Sequence, residues 1–136
     1  MFESACYGLF AVGAYLRPTD FPLTTAKEQQ QVSPTRTRDA YVKAFPTAPI
    51  VDSFAALFAD PAYQGLREIR NVLTHRTAPG RRMYASLGAE DAPATEWKLN
   101  NVPLDGALAP ERERDVARML GGLITAAAAF TSRHLT

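Results

Sequence analysis

The sequence is short of most of the groups on which small catalytic or metal-binding domains depend. Cys6 is its single cysteine, which excludes an intramolecular disulfide and any cysteine-based zinc site. Histidine occurs twice, as His75 and His134, too few for a histidine metal cluster. No Gly-rich phosphate loop and no Ser-His-Asp arrangement is visible, so neither a nucleotide cradle nor a hydrolase triad is expected. The residues present imply no cofactor and no metal.

Charge of one sign is also missing. The formal net charge is +1, so bulk electrostatics does not announce a nucleic-acid binder. Within the 15 basic residues, however, lysine supplies three and arginine twelve. Arginine carries a planar fork that pairs with phosphate or carboxylate and tolerates partial burial better than lysine. A GC-rich coding sequence gives the same bias, and the frequent alanine and proline agree with it, so the ratio alone identifies no ligand.

Long apolar runs are lacking as well. The stretch Phe2–Leu16 is apolar enough to raise the question of a signal peptide, yet it falls short of the ~20 residues that span a bilayer. It carries Glu3, has no basic start and precedes Arg17-Pro18 without a persuasive cleavage site. It reads as a core helix rather than a signal peptide or anchor, and the protein is expected to be cytoplasmic and independent of membranes.

What is there fits one helical domain. With 136 residues, 46% hydrophobic and 21% charged, the chain is long enough to bury one core without staples. Phe2, Ala5, Leu9, Val12 and Leu16 alternate steps of three and four and predict one buried face of a first helix. Thr19–Pro34 is polar and broken by proline, with a short helix over Ala26–Val32 and a mobile loop as open alternatives. A second helix is predicted over Thr35–Phe45 and a third from about Val51, burying Phe54, Leu57 and Phe58. Asp60-Pro61 sets an N-cap before proline at the first helical position and opens a helix running to about Arg76. Pro110 starts a long last helix with Val116, Leu120, Leu123, Ala127 and Phe130 as its buried stripe. Gly121-Gly122 marks a point where another helix would cross closely. The expectation is an all-α helical bundle, a single domain over residues 1–136, with a non-helical insertion at about 78–107. Arg81–Ser86 and Thr95–Leu99 would pair there as a small β-hairpin, an irregular excursion being the alternative.

The helix from Pro61 is amphipathic. At about 100° per residue, Ala62, Leu66, Ile69, Val72 and Leu73 share an arc of roughly 120°. Tyr63, Gln64, Arg67, Glu68, Arg70, Asn71, Thr74 and His75 fill the other side. Arg70 stands in line with Thr74, and Asn71 with His75, one turn apart. One stripe turned away from the core thus carries a cation, an amide, a hydroxyl and an imidazole. A polar outer face is the ordinary condition of an amphipathic helix, and a histidine near a helix C-terminus suits the dipole, so spacing alone leaves the stripe open between function and solvation.

Arg70-Asn71-Val72-Leu73-Thr74-His75, flanked by Leu66-Arg67-Glu68-Ile69 and Arg76, resembles the motif of the HEPN superfamily. That motif is an arginine followed after four to six residues by histidine, with a polar residue directly after the arginine, near the end of a helix. The resemblance implies a HEPN-like helical bundle that forms a homodimer through the motif helix. It further implies a metal-independent endoribonuclease, possible in toxin–antitoxin or phage-defence systems, with RNA as substrate and an antitoxin as partner. Arg70, Asn71 and His75 would then be catalytic. Arg67, Thr74, Arg76, Arg81 and Arg82 would guide the RNA, or, for the arginines, form a solvated rim. Departures are a first helix shorter than usual, the long insertion, and Thr77 where members with nucleotidyltransferase antitoxins carry tyrosine. A non-catalytic HEPN-like binding or regulatory protein using the same face, and an unrelated helical interaction domain, are the alternatives. His134 reads as a C-terminal capping residue, and Trp97 with Tyr84 as aromatics that pin the insertion or stack a base.

Overall fold

The computed structural model describes residues 1–74, 81–82, 96–99, 102–103 and 106–135. The protein is mostly helical, and proline and polar caps punctuate it. α1 (Phe2–Leu16) stops at Arg17, whose amide returns to the Gly13 carbonyl, ahead of Pro18. α2 (Ala26–Gln30) is a single turn held by a capping box: the Thr25 hydroxyl accepts from the Glu28 amide, and the Glu28 carboxylate accepts from the Thr25 amide. α3 (Pro34–Ala44) begins at Ser33, whose hydroxyl accepts from the Arg36 amide, with Pro34 at the first helical position. α4 (Pro49–Ala59) starts two residues before the expected Val51, again at a proline. α5 (Pro61–Thr74) opens where Asp60 Oδ1 accepts from the Ala62 amide at 2.9 Å. α6 (Ala109–His134) is the longest, preceded by a 3-10 turn at Gly106–Leu108.

Chain contacts divide the molecule into two compact units, Met1–Ala59 with Ala117–Thr136, and Asp60–Val116. The first holds an aromatic core. Phe21 stands edge-on to Phe10 at 5.2 Å and to Tyr41 at 5.0 Å between ring centroids. Tyr41 in turn meets the edge of Phe130 at 5.2 Å and lies 5.8 Å from Phe54. Each such pair contributes about 0.5–1.5 kcal/mol beyond the area it buries. Tyr41 Oη donates to the Leu9 carbonyl of α1 at 2.8 Å, whereas Thr37 Oγ1 lies 2.9 Å from the Ser33 carbonyl one turn back and 3.3 Å from the Cys6 carbonyl of α1.

The buried faces differ from those expected. The fully buried face of α1 is Cys6, Leu9, Phe10 and Gly13 rather than Phe2, Ala5, Leu9, Val12 and Leu16, a rotation of roughly 70° about the helix axis. The cause is Phe21, from the segment read as polar loop, whose ring packs so closely on Gly13 that a Cβ there would lie 2.5 Å from it. At Gly121-Gly122, where a close helix crossing was expected, both residues are exposed, and among the described residues nothing lies within 4 Å of a Cβ built on either. On α6 the buried residues are Met119, Leu123 and Phe130, with Leu120 and Ala127 half-buried. Phe58 is also only half-buried, and the Arg38 guanidinium covers its ring at 4.5 Å.

The second unit holds α5, the first turns of α6 and a small ladder. β1 (Arg81–Arg82) pairs antiparallel with β2 (Glu96–Leu99), Arg81 opposite Trp97 and Arg82 opposite Glu96. β2 pairs antiparallel with β3 (Val102–Pro103), Leu99 opposite Val102. Residues 83–95, which hold the remainder of the expected Arg81–Ser86 strand, lie outside the described residues. Among the described residues no helix is long and apolar enough to cross a membrane.

Candidate functional site

α5 is the most strongly amphipathic helix of the chain, and its start is fixed by the Asp60 cap. Ala62, Leu66 and Ile69 are half-buried along the expected apolar arc. Gln64, Arg67, Arg70 and Asn71 are exposed. Tyr63 departs from the expectation: assigned to the polar side, it is only 3% exposed. A tyrosine has an apolar body and a polar tip, so a ring can be buried from a face whose neighbours are wet. Arg67 follows one turn later, and its guanidinium lies 5.9 Å from the Tyr63 ring centroid, at the outer limit of a cation–π contact. Tyr63, Arg67 and Arg70 therefore form one line along the helix, about 20° separating the first from the last.

At the C-terminal end of that line, Arg70 Nη1 donates to Asn71 Oδ1 at 3.4 Å on the exposed surface. Sequence neighbours on a helix do not normally face each other; the long arginine side chain folds sideways to reach the amide. The bond is weak by length, but it biases the guanidinium toward Asn71. A planar cation held beside an amide, on an open surface, is a suitable receptor for a phosphate or carboxylate.

Thr74 is the last residue of α5, described as backbone only; His75 and Arg76 lie outside the described residues. Arg81 and Arg82 form β1, and the ladder gives their register and not the positions of their guanidinium groups. Of the candidate residues, then, the structure pairs Arg70 with Asn71, and Arg67 precedes Arg70 by one turn of the same helix. The contact it adds is Tyr63 under Arg67, for which the sequence signal was the four-residue spacing.

The groups whose titration is shifted serve the fold. Burial, with a smaller contribution from the Glu3 charge, pushes the Cys6 thiol up to about 11, which makes it a poor nucleophile. Burial likewise raises Tyr41. The Thr25 backbone amide, with further hydrogen bonds, lowers Glu28, as its capping role requires. His134 ends α6 with its ring 4.4 Å from Phe130 and 5.6 Å from Phe45, an aromatic packing residue as well as a helix-end residue. Among the described residues no group of three or more His, Cys, Asp or Glu could hold a metal ion. No protein-family model, curated protein or solved structure matches the chain.

Proposed function

We propose that this protein is a metal-independent endoribonuclease of HEPN type, with Arg70, Asn71 and His75 as its catalytic residues. The observation that carries the reading is the pairing of Arg70 with Asn71 on the exposed end of α5, five and four residues before His75. Cleavage of RNA without an external nucleophile uses the 2′-hydroxyl. That oxygen attacks the adjacent phosphorus, the P–O5′ bond breaks, and the products are a 2′,3′-cyclic phosphate and a 5′-hydroxyl. One imidazole takes the 2′-proton and one imidazolium protonates O5′, roles that suit histidine near neutral pH. Each chain offers one histidine in the motif, so two copies meeting along α5 would supply both. Arg70 opposes the charge that grows on the phosphorane-like transition state, and Asn71 orients the guanidinium. Arg67, Thr74, Arg76, Arg81 and Arg82 would hold the flanking backbone. A cytoplasmic setting with an antitoxin partner belongs to the same proposal.

The test is cleavage of a mixed-sequence RNA in excess chelator, comparing wild type with Arg70→Ala and His75→Ala. Both variants should lose at least a hundredfold in rate while keeping the helical spectrum of the wild type. Cleavage that survives both substitutions defeats the assignment. Failure of the wild type to cleave, together with RNA binding that both substitutions weaken, replaces it with a non-catalytic binding protein using the same face.

A further inference from the structure

The first unit contains a cavity of about 70 Å³ between the start of α4 and the end of α6. Ile50, Ala126, Ala129 and Phe130 supply its apolar wall, and Arg133 and His134 its polar one. We propose that this cavity is a binding site for a short-chain monocarboxylate, an alkyl tail of about three carbons with its carboxylate at Arg133 and His134.

Size, polarity and charge each narrow the choice. At roughly 10–15 Å³ per water-sized centre, the volume accommodates about five or six heavy atoms, the size of propionate or butyrate. The wall is mostly aliphatic and aromatic, which disfavours a fully hydrated anion such as phosphate. Phe130 is 5% exposed, with the His134 ring packed on it at 4.4 Å, so the imidazole is held at the cavity by an aromatic contact. Arg133 is exposed and brings a permanent charge. On the opposite side, the first hydrogen bond into α4 runs from the Val51 amide to the Ala48 carbonyl at 2.9 Å. Ile50, beside it at the start of α4, is 1% exposed and lines the cavity. Ala48 has only a methyl group and provides no side-chain cap. The C-terminal end of α6 would itself repel an anion, but its dipole amounts to about half a charge against the full charge of Arg133.

The experiment is a titration of the folded chain with sodium butyrate, followed by amide chemical shifts. The expected result is saturable binding, with the largest shifts at Ile50, Ala129 and Phe130. 1-Butanol and inorganic phosphate should bind at least tenfold more weakly. Arg133→Gln should weaken butyrate at least fivefold. Ala129→Leu, at an exposed helical position that tolerates leucine, should fill the cavity and abolish the shifts. Arg118→Gln, on the same helix away from the cavity, should change nothing. No saturable binding to wild type, equal binding of phosphate, or undiminished binding to the Ala129→Leu variant would overturn the assignment.

Discussion

The Tyr41 hydroxyl donates to the Leu9 carbonyl at 2.8 Å, joining α3 to α1 across a core in which both residues are buried. A phenol in an apolar core needs such a partner, because an unsatisfied hydroxyl there costs several times the net value of the bond.

Tyr41→Phe keeps the ring and its four aromatic neighbours, Phe21, Phe45, Phe54 and Phe130. It removes only the donor. The loss should be about 1–2 kcal/mol, read as a lower urea midpoint at unchanged m value. A midpoint equal to wild type would mean that the hydroxyl contributes nothing net to stability.

Gly13 and Gly8 should respond in opposite directions to alanine. A Cβ at Gly13 would stand 2.5 Å from the Phe21 ring, itself fully buried, so Gly13→Ala overpacks the core and should destabilise by about 1–3 kcal/mol. Gly8 is exposed on the same helix with nothing among the described residues within 4 Å of a Cβ built there, so Gly8→Ala should stabilise by about 0.5–1 kcal/mol. Thermal unfolding of the two variants separates packing from propensity; a gain in stability for Gly13→Ala would contradict the close approach of Phe21.

That contact also shows why the sequence revealed helix positions better than helix faces. Asp60-Pro61 carries its own start signal, since a capping side chain and a fixed proline φ act locally, and the helices that begin at Pro34 and Pro49 start one and two residues before the expected Thr35 and Val51. α1 is apolar on several sides, so its periodicity left the buried face weakly determined. Phe21, a lone aromatic between Asp20 and Pro22, then decided that face through a contact that no local pattern encodes. At the candidate site, the polar face that carries Arg67, Arg70 and Asn71 was legible from the helical repeat. The burial of Tyr63 was not, because a tyrosine suits either side of an amphipathic helix. The Arg70–Asn71 bond was not either, since it joins adjacent residues that helical periodicity places apart.

Cys6 and Tyr41 should make the fold sensitive to alkali. Burial raises both in the folded protein, Cys6 to about 11 from an ordinary value of 9.0. The unfolded chain therefore loses these protons at lower pH than the folded one. Stability is full below about pH 9 and falls as the pH rises toward 11. Cys6→Ala should flatten the part of this decline between those values, while Tyr41 still contributes above the ordinary tyrosine range. Urea midpoints across this range provide the check; identical slopes in wild type and Cys6→Ala would exclude the thiol as a contributor.

Arg67 separates a phosphate contact from a solvated rim. If its guanidinium, lying 5.9 Å from the Tyr63 ring centroid, meets RNA, it neutralises one phosphate and releases its counterion. Affinity for an RNA with a 2′-deoxy residue at the cleavage position removes chemistry from the measurement. Plotted as log affinity against log salt, the slope should become less steep by about one in Arg67→Ala. Arg67→Lys keeps the charge and should preserve the slope while losing affinity, because an ammonium lacks the planar fork that stacks on a ring. Lys27, exposed on α2, is the control: Lys27→Ala should leave the slope at the wild-type value. A wild-type slope in Arg67→Ala would place that arginine outside the RNA path and restrict the site to Arg70, Asn71 and the residues that follow them.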